Sequence, residues 1–179
     1  MIGAVGPSFL STVTYAGVKL EGIDGMAGQA LIAALREIGK PVCSQMAAKL
    51  EADGFPASGF DLHLRRAGLS PQDALAIAQG LNALRLHDAR AMRSFSISYN
   101  QEIGETGAVA LVDALPASLP EIGMVGCDLG DESGEALMQF ALDAPKLKMM
   151  CIENNAFSPE MRRRLETLRT LRSDMFLVV

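Results

Sequence analysis

The tail of this chain aligns with itself. "LPEIGMVGCDLGDESGEAL", from Leu119, and "LKMMCIENNAFSPEMRRRL", from Leu147, superpose without a gap at an offset of 28 residues. Leu119 then falls on Leu147, Ile122 on Met150, Met124 on Ile152, Cys127 on Asn155, Leu129 on Phe157 and Leu137 on Leu165. "SFSISYNQEIGETGAVALVDAL" joins the register if one residue is inserted before Ile103, so that Met92, Phe95, Ile97 and Asn100 match Leu119, Ile122, Met124 and Cys127. Ile103, Leu111 and Leu115 complete that unit. "LHLRRAGLSPQDALAIAQGL" supplies Leu62, Leu64, Ala67, Leu69, Ile77 and Leu81 at the same positions. Self-similarity at a fixed period is a strong constraint. No copy can bury its own apolar face, whereas stacked copies can.

Each position in the pattern has a physical role. Alternating apolar residues such as Ile122 and Met124 turn one face of a short strand inward. The Asn or Cys three residues later can hydrogen-bond the backbone groups left open where the chain leaves the strand. The next apolar residue (Leu69, Ile103, Leu129, Phe157) plugs the turn. A helix follows, with Val109, Leu111, Val112 and Leu115 at helical spacing in one copy and Leu137, Phe140 and Ala141 in the next. Ala67 stands where Asn or Cys is usual, so that turn should be built differently.

These residues resemble the leucine-rich repeat pattern L-x-x-L-x-L-x-x-N/C-x-L. The period, with the "IGETGAVAL" and "LGDESGEAL" turns, is similar to the ribonuclease-inhibitor-like subfamily. The match runs from Gly59 to Val179, with Met, Ile and Phe often replacing Leu. The resemblance implies an α/β fold: a short leucine-rich-repeat solenoid in a right-handed horseshoe arc, with parallel strands on the concave face and helices on the convex face. Residues 1–179 then form one repeat domain. Residues 59–179 supply about four units, ending in a truncated strand.

Residues 1–58 read as a divergent N-terminal cap, since terminal repeats are usually atypical. "GIDGMAGQALIAAL" looks like a turn and helix with Ile23, Leu31 and Leu35 in register, preceded by a strand around Tyr15 to Leu20. "KPVCSQMAAKLEADGFPASG" lies outside any unit. Pro41 at a first turn, a stripe of Val42, Met46 and Leu50, and Gly54 near the stop predict an extra helix. At the other end, adding the period to Leu147 and Met150 lands on Met175 and Val178, so "MFLVV" takes the place of one more strand. Left at a sheet edge, that strand would be covered by a partner or pair with a second copy in a homodimer.

Composition narrows the class. Hydrophobic residues make up 49% of the 179 and aromatics only 5%, which suits tightly packed helices and small side chains. The formal charge of −5 argues against nonspecific nucleic-acid binding. The apolar N-terminus lacks the basic start of a signal peptide, and no run approaches the roughly 18 apolar residues of a membrane span. Three cysteines without zinc-type spacing read as reduced thiols. A cytoplasmic protein is expected, a secreted effector being the other option.

No catalytic motif stands out. G-x-S-x-G is missing, and Ser, His and Asp do not group at useful spacing. His63 and His87 read as surface histidines, Cys127 as a structural turn residue, and Cys151 as a thiol facing the concave side. Asp128, Asp131, Glu132 and Glu135 lack the alternation of a calcium loop and fit a helix start instead. "GIDGMAG" has neither the Walker Lys-Ser/Thr nor G-x-G-x-x-G spacing, so Gly22, Gly25 and Gly28 read as a tightly packed turn. Arg162, Arg163, Arg164, Arg169 and Arg172, around the stripe Leu165, Leu168 and Leu171, read as a solvated convex face. No cofactor or metal is expected.

The register places four rows of residues on the outward strand face. They are Asp61, His63 and Arg65; Ser94, Ser96 and Ser98; Glu121, Gly123 and Val125; and Met149, Cys151 and Glu153. This surface runs from basic through small and neutral to acidic. The expected function is a non-catalytic module, scaffold, adaptor or effector in kind, binding a protein partner on this face, with neither nucleic acid nor membrane involved. One alternative is a regulator of a GTPase or hydrolase acting through Asn154 and Asn155. Another is an enzyme on an unrelated α/β fold, which would need a pocket of perturbed titratable groups near Asp61, His63 and Cys151.

Overall fold

A computed structural model describes residues 23–56, 58–86 and 92–179. The strand expected around Tyr15 to Leu20, and His87, lie outside the described residues. Two helices come first, α1 (Ile23–Ile38) and α2 (Pro41–Asp53). Strands and helices then alternate: β1 (Phe60–His63), α3 (Pro71–Leu86), β2 (Met92–Ser96), α4 (Gly104–Ala114), β3 (Glu121–Gly123), α5 (Asp131–Asp143) and β4 (Met149–Cys151). Two short helices, α6 (Pro159–Glu166) and α7 (Leu168–Leu171), lead into β5 (Phe176–Val178). The five strands form one parallel sheet in the order β1-β2-β3-β4-β5. Because sheet order follows chain order, and such crossovers share one hand, the helices collect on one face. α1 packs on both α2 and α3, and the helices from α3 to α7 then pack in chain order. No described helix is long and apolar enough to cross a membrane.

The strand register agrees with the sequence alignment through four strands. Leu62 pairs with Phe95, Phe95 with Ile122, and Ile122 with Met150. All four are buried against the helices, as are Leu64, Ile97, Met124 and Ile152 one step further on. Those residues continue the ladder beyond the strands proper. The Leu64 amide donates to Ser96 O at 2.7 Å, Ile97 to Gly123 O at 3.0 Å, and Met124 to Cys151 O at 2.9 Å. Ile97, Met124 and Ile152 therefore occupy adjacent rungs of one sheet.

The fifth strand departs from the expected register by one residue. Met150 pairs with Leu177 rather than Val178, so Leu177 is buried and Phe176 and Val178 take the outer face. A one-residue slip exchanges every side chain between faces. Its cause is a shorter connection. The turn before the strand is the same in three units, the Leu119 amide donating to Pro116 O, Leu147 to Ala144 O and Met175 to Arg172 O, but the inward Leu177 follows Met175 by two residues where Met150 follows Leu147 by three. β5 forms one edge of the sheet, and no described strand pairs with its outer side.

Where each strand ends, the chain makes a left-handed bend at the same place. Arg66, Tyr99, Gly126 and Asn154 have φ of 53°, 65°, 59° and 60°. The residue after each bend is Ala67, Asn100, Cys127 or Asn155, all buried. Asn100 Oδ1 accepts the Leu69 amide at 3.1 Å, while its Nδ2 donates to Leu64 O at 2.9 Å and Ile97 O at 2.5 Å. Asn155 Oδ1 accepts the Cys127 amide at 2.8 Å and the Leu129 amide at 3.2 Å. Its Nδ2 donates to Met124 O at 2.8 Å and Ile152 O at 2.7 Å. Cys127 Sγ lies 3.3 Å from Ile97 O. Each side chain thus serves the preceding bend as well as its own. That is why Ala67 is tolerated: Asn100 satisfies the groups around it.

The helix starts are tied together as well. Ser70 and Asp73 form a capping box at α3, the Ser70 amide donating to Asp73 Oδ2 at 2.8 Å and the Asp73 amide to Ser70 Oγ at 3.2 Å. Glu105 reaches from α4 to the start of α5, accepting from the Gly130 and Ser133 amides and the Ser133 hydroxyl. Asp131 in turn accepts the Ser158 amide at 2.8 Å. Asp131 therefore caps the next segment, and Glu135 pairs with Arg164 at 2.6 Å.

Several helical expectations are corrected. Gly25 and Gly28 lie inside α1 rather than in a turn before it. The tight packing is real, since a Cβ on Gly28 would sit 2.4 Å from the Phe55 ring. In α2 the buried stripe is Cys43, Ala47 and Leu50, with Val42 and Met46 half-buried at its margin. Val109 and Phe140 are also half-buried. The arginine run splits over α6 and α7, and Leu171 is exposed. Arg172 is not solvated. Its guanidinium donates to Ala141 O, Ala144 O and Leu147 O, closing the open carbonyls after α5. Arg162 likewise donates to Asn155 O at 2.6 Å.

Two stability predictions follow from these contacts. Asn155→Ala strands two buried amides and two carbonyls, so urea unfolding should show a loss of about 3–5 kcal/mol. Cys127→Ala, which removes only weak sulfur contacts, should cost well under half of that. A Cβ on Gly80 would meet the Leu31 Cα at 2.8 Å, where α3 crosses α1. Gly80→Ala should therefore lower stability by about 1–3 kcal/mol through overpacking, despite the better helix propensity of alanine.

Candidate functional site

The strand face turned away from the helices holds a recess of about 320 Å³. Parallel pairing brings the outward rows into line. Asp61, Ser94, Glu121, Met149 and Phe176 form one file across the sheet, and His63, Ser96, Gly123, Cys151 and Val178 the next. Every outward residue expected from the sequence except Asp61 lines the recess: His63, Arg65, Ser94, Ser96, Ser98, Glu121, Gly123, Val125, Met149, Cys151 and Glu153. Not all are free for a partner. Ser98 is buried, and its hydroxyl accepts the Val125 amide at 3.2 Å and meets Ser96 Oγ at 3.2 Å. Val125 is 9% exposed and forms wall rather than rim.

The β1–β2 end is basic and internally bonded. Arg93 grips Asp61 in a fork, Nη2 to Oδ2 at 2.7 Å and Nε to Oδ1 at 3.2 Å. Asp61 is thereby drawn toward a second hollow of about 130 Å³ lined also by Lys49 and Asp53. The Arg93 hydrogen bonds hold the Asp61 carboxyl below its ordinary value against its partial burial, and the Ser94 hydroxyl adds to the effect. Tyr99, which the sequence reading did not single out, stands over this end. The Arg66 guanidinium lies 4.7 Å from its ring centre and that of Arg65 5.4 Å. The left-handed bend aims Tyr99 there, and tyrosine is not a residue that advertises such a bend.

The fold does assemble a Ser-His-Asp group that linear spacing concealed. His63 Nε2 lies 2.7 Å from Ser94 Oγ, which lies 3.0 Å from Asp61 Oδ1. The order of the contacts decides its chemistry. A carboxylate only accepts, so the Ser94 hydroxyl donates to Asp61 and accepts from the His63 ring N–H. In a nucleophilic triad the imidazole must instead accept the serine proton, with the carboxylate behind the imidazole. Ser94 is also 9% exposed. This arrangement is a structural relay.

The β3–β4 end is acidic. Burial first, and then the Glu153 and Glu121 carboxylates, push the Cys151 thiol above the ordinary cysteine value. A reactive thiol needs the opposite environment. Glu153 Oε2 is buried and has no hydrogen-bond partner, the one such side-chain atom among the described residues. Gly123 lies close against the Ser96 and Ser98 side chains, and a Cβ there would crowd Ser96 Oγ at 3.2 Å.

Other expected functional residues do not gather here. Asn155 is buried and spent on the bends, which leaves only Asn154 of that pair exposed. Cys127 is 1% exposed, and burial raises its thiol too. Among the described residues no cluster of His, Cys, Asp and Glu could hold a metal ion. Phe176 is the apolar residue the register slip adds to the outer face, at 61% exposure. No protein-family model matches the sequence, and a search of curated proteins returns no match.

One prediction tests the electrostatics of this end. Cys151 is the most accessible of the three thiols, and its alkylation by iodoacetamide should reach half-maximal rate above the ordinary thiol value near 9.0. Because the carboxylates oppose thiolate formation, Glu153→Gln should move that midpoint down and speed labelling at fixed pH. An unchanged or raised midpoint would show that the carboxylate does not act on the thiol.

Proposed function

We propose that this chain is a leucine-rich-repeat protein of the ribonuclease-inhibitor-like kind, a short solenoid that works as a non-catalytic protein-binding module. Four features support the reading. They are the sequential parallel sheet, the common register of Leu62, Phe95, Ile122 and Met150, the bend repeated after each strand, and the Asn or Cys that serves it. On this reading residues 23–56 belong to a capping region, and the outer strand face is the concave one.

The observation that carries the functional part is the recess itself. It is shallow, covered by no described element, and lined in chain order by basic, small and acidic side chains. Such a surface suits a protruding group of a protein partner. It offers neither an activated nucleophile nor a correctly wired base, since the Cys151 thiol is raised and Ser94 gives its proton to Asp61. Three or four short strands limit the contact, so the interface should fall at the lower end of the standard size.

Charge reversal tests the reading. Arg65→Glu and Glu153→Arg lie at opposite ends of the recess, and each should weaken capture of the partner from a lysate by about tenfold, roughly 1.4 kcal/mol. Circular dichroism and the unfolding midpoint should stay at wild-type values. Normal capture by both variants would remove the strand face as the binding surface.

A further inference from the structure

Most of the described arginines have a polar partner. Arg36, Arg93, Arg163 and Arg164 pair with carboxylates, and Arg162 and Arg172 donate to backbone carbonyls. The guanidinium groups of Arg65, Arg66 and Arg169 have neither kind of partner among the described residues. Arg169 stands on α7, whereas Arg65 and Arg66 meet at one ring. Consecutive residues of an extended strand point to opposite faces. The left-handed bend at Arg66, with φ of 53°, brings its guanidinium to the Tyr99 ring at 4.7 Å from the centre, beside that of Arg65 at 5.4 Å. The ring is itself seated, since a Cβ on Gly126, in the bend after β3, would come within 3.1 Å of it. Its face orients the two cations but carries no counter-charge. The Asp61 carboxylate on this side is held by Arg93 and Ser94. Two like charges are thus gathered, exposed and without a carboxylate, beside the recess that Arg65, Tyr99 and His63 line.

We propose that Arg65, Tyr99 and Arg66 form a receptor for a carboxylate, the side chain of an aspartate or glutamate on an exposed segment of a protein partner. The inference rests on the strand-face reading and adds the chemical group recognised. A guanidinium resting on an aromatic face keeps its N–H edge for two parallel bonds to a carboxylate. Entry of that carboxylate supplies the counter-charge that both arginines lack. Side chains already held against one another lose little freedom on contact, and tyrosine and arginine are the types that most often anchor an interface. The opposite end of the face selects the kind of anion. Glu121 and Glu153 line the same recess on the β3–β4 side, and the chain carries a formal charge of −5. A nucleic-acid backbone laid across the strands brings phosphates against those carboxylates, whereas a lone acidic side chain stays clear of them. Neighbouring strands lie about 4.8 Å apart, so β3 and β4 are roughly 10–14 Å from β1, beyond the screening length of about 8 Å.

The test uses the full chain, labelled with nitrogen-15, three blocked pentapeptides and a short oligothymidylate. The peptides are Gly-Ser-X-Ser-Gly with glutamate, glutamine or arginine as X. The glutamate peptide should give saturable amide shifts at Arg65, Arg66, Tyr99 and Gly126. Glutamine, which keeps the shape of glutamate without its charge, should bind at least about tenfold more weakly. Arg66→Gln should weaken the glutamate peptide by about threefold or more, with an unchanged urea midpoint. Arg169→Gln removes the same charge from α7 and should leave binding at the wild-type value. Equal binding of glutamine and glutamate, no saturable shift with glutamate, or equal effects of Arg66→Gln and Arg169→Gln would each overturn the proposal. Tighter binding of the oligothymidylate at the same amides would overturn it too, by assigning the arginines to nucleic acid. If arginine alone produces shifts, at residues of β3 and β4, the carboxylate site falls and the strand face survives. If no peptide perturbs this face and capture also ignores Arg65→Glu and Glu153→Arg, both fall.

Discussion

The architecture depends on one kind of interaction: a buried side chain that closes the hydrogen bonds of its own bend and of the one before it. A parallel strand that stops after three to five residues leaves amides and carbonyls pointing into an apolar interior. Asn100 answers three such groups and Asn155 four, each from a single amide, and Cys127 gives a weaker version of the same contact. The requirement runs between segments rather than within them. A segment lacking its neighbour would keep unpaired polar groups in its core, which makes stacking obligatory.

That constraint also determines the outer face. With the bend residues turned inward, the strand residues that alternate with the core point away from the helices, and no described element covers them. The same face then carries two different electrostatic environments within a few strands. At the basic end arginines, Tyr99, Asp61 and Ser94 satisfy one another, whereas at the acidic end Glu153 and Glu121 surround a thiol that they help to keep protonated. The Tyr99 ring beside Arg65 and Arg66 is neutral, so this end stays basic while the other stays acidic. The unequal distribution of the two gives the recess a direction.

Close approach of the helices supports this at a distance. Gly80 lets α3 lie against the backbone of Leu31, and Gly107 lets α4 lie against Ala74 and Pro71. Glu105 and Asp131 then tie each helix start to the next segment. Arg172 closes the series by taking up carbonyls between the end of α5 and β4. The outermost strand, one residue short between Met175 and Leu177, exposes Phe176 where a uniform period would have exposed Leu177.

By itself the sequence determined the inward positions, the strand register through Met150, and nearly all the outward residues of the recess. Those follow from alternation and a constant period, which are local properties of the chain. It did not reveal which outward groups are spent on each other. Ser94 with His63 and Asp61, Tyr99 with two arginines, and Asn155 inside the bend all involve partners that meet only when segments stack. The β5 register was hidden for a different reason, because the residue lost between Met175 and Leu177 shows only in the pairing with β4. Spacing can count residues along a chain, but hydrogen bonds across the sheet decide which of them stay unbonded.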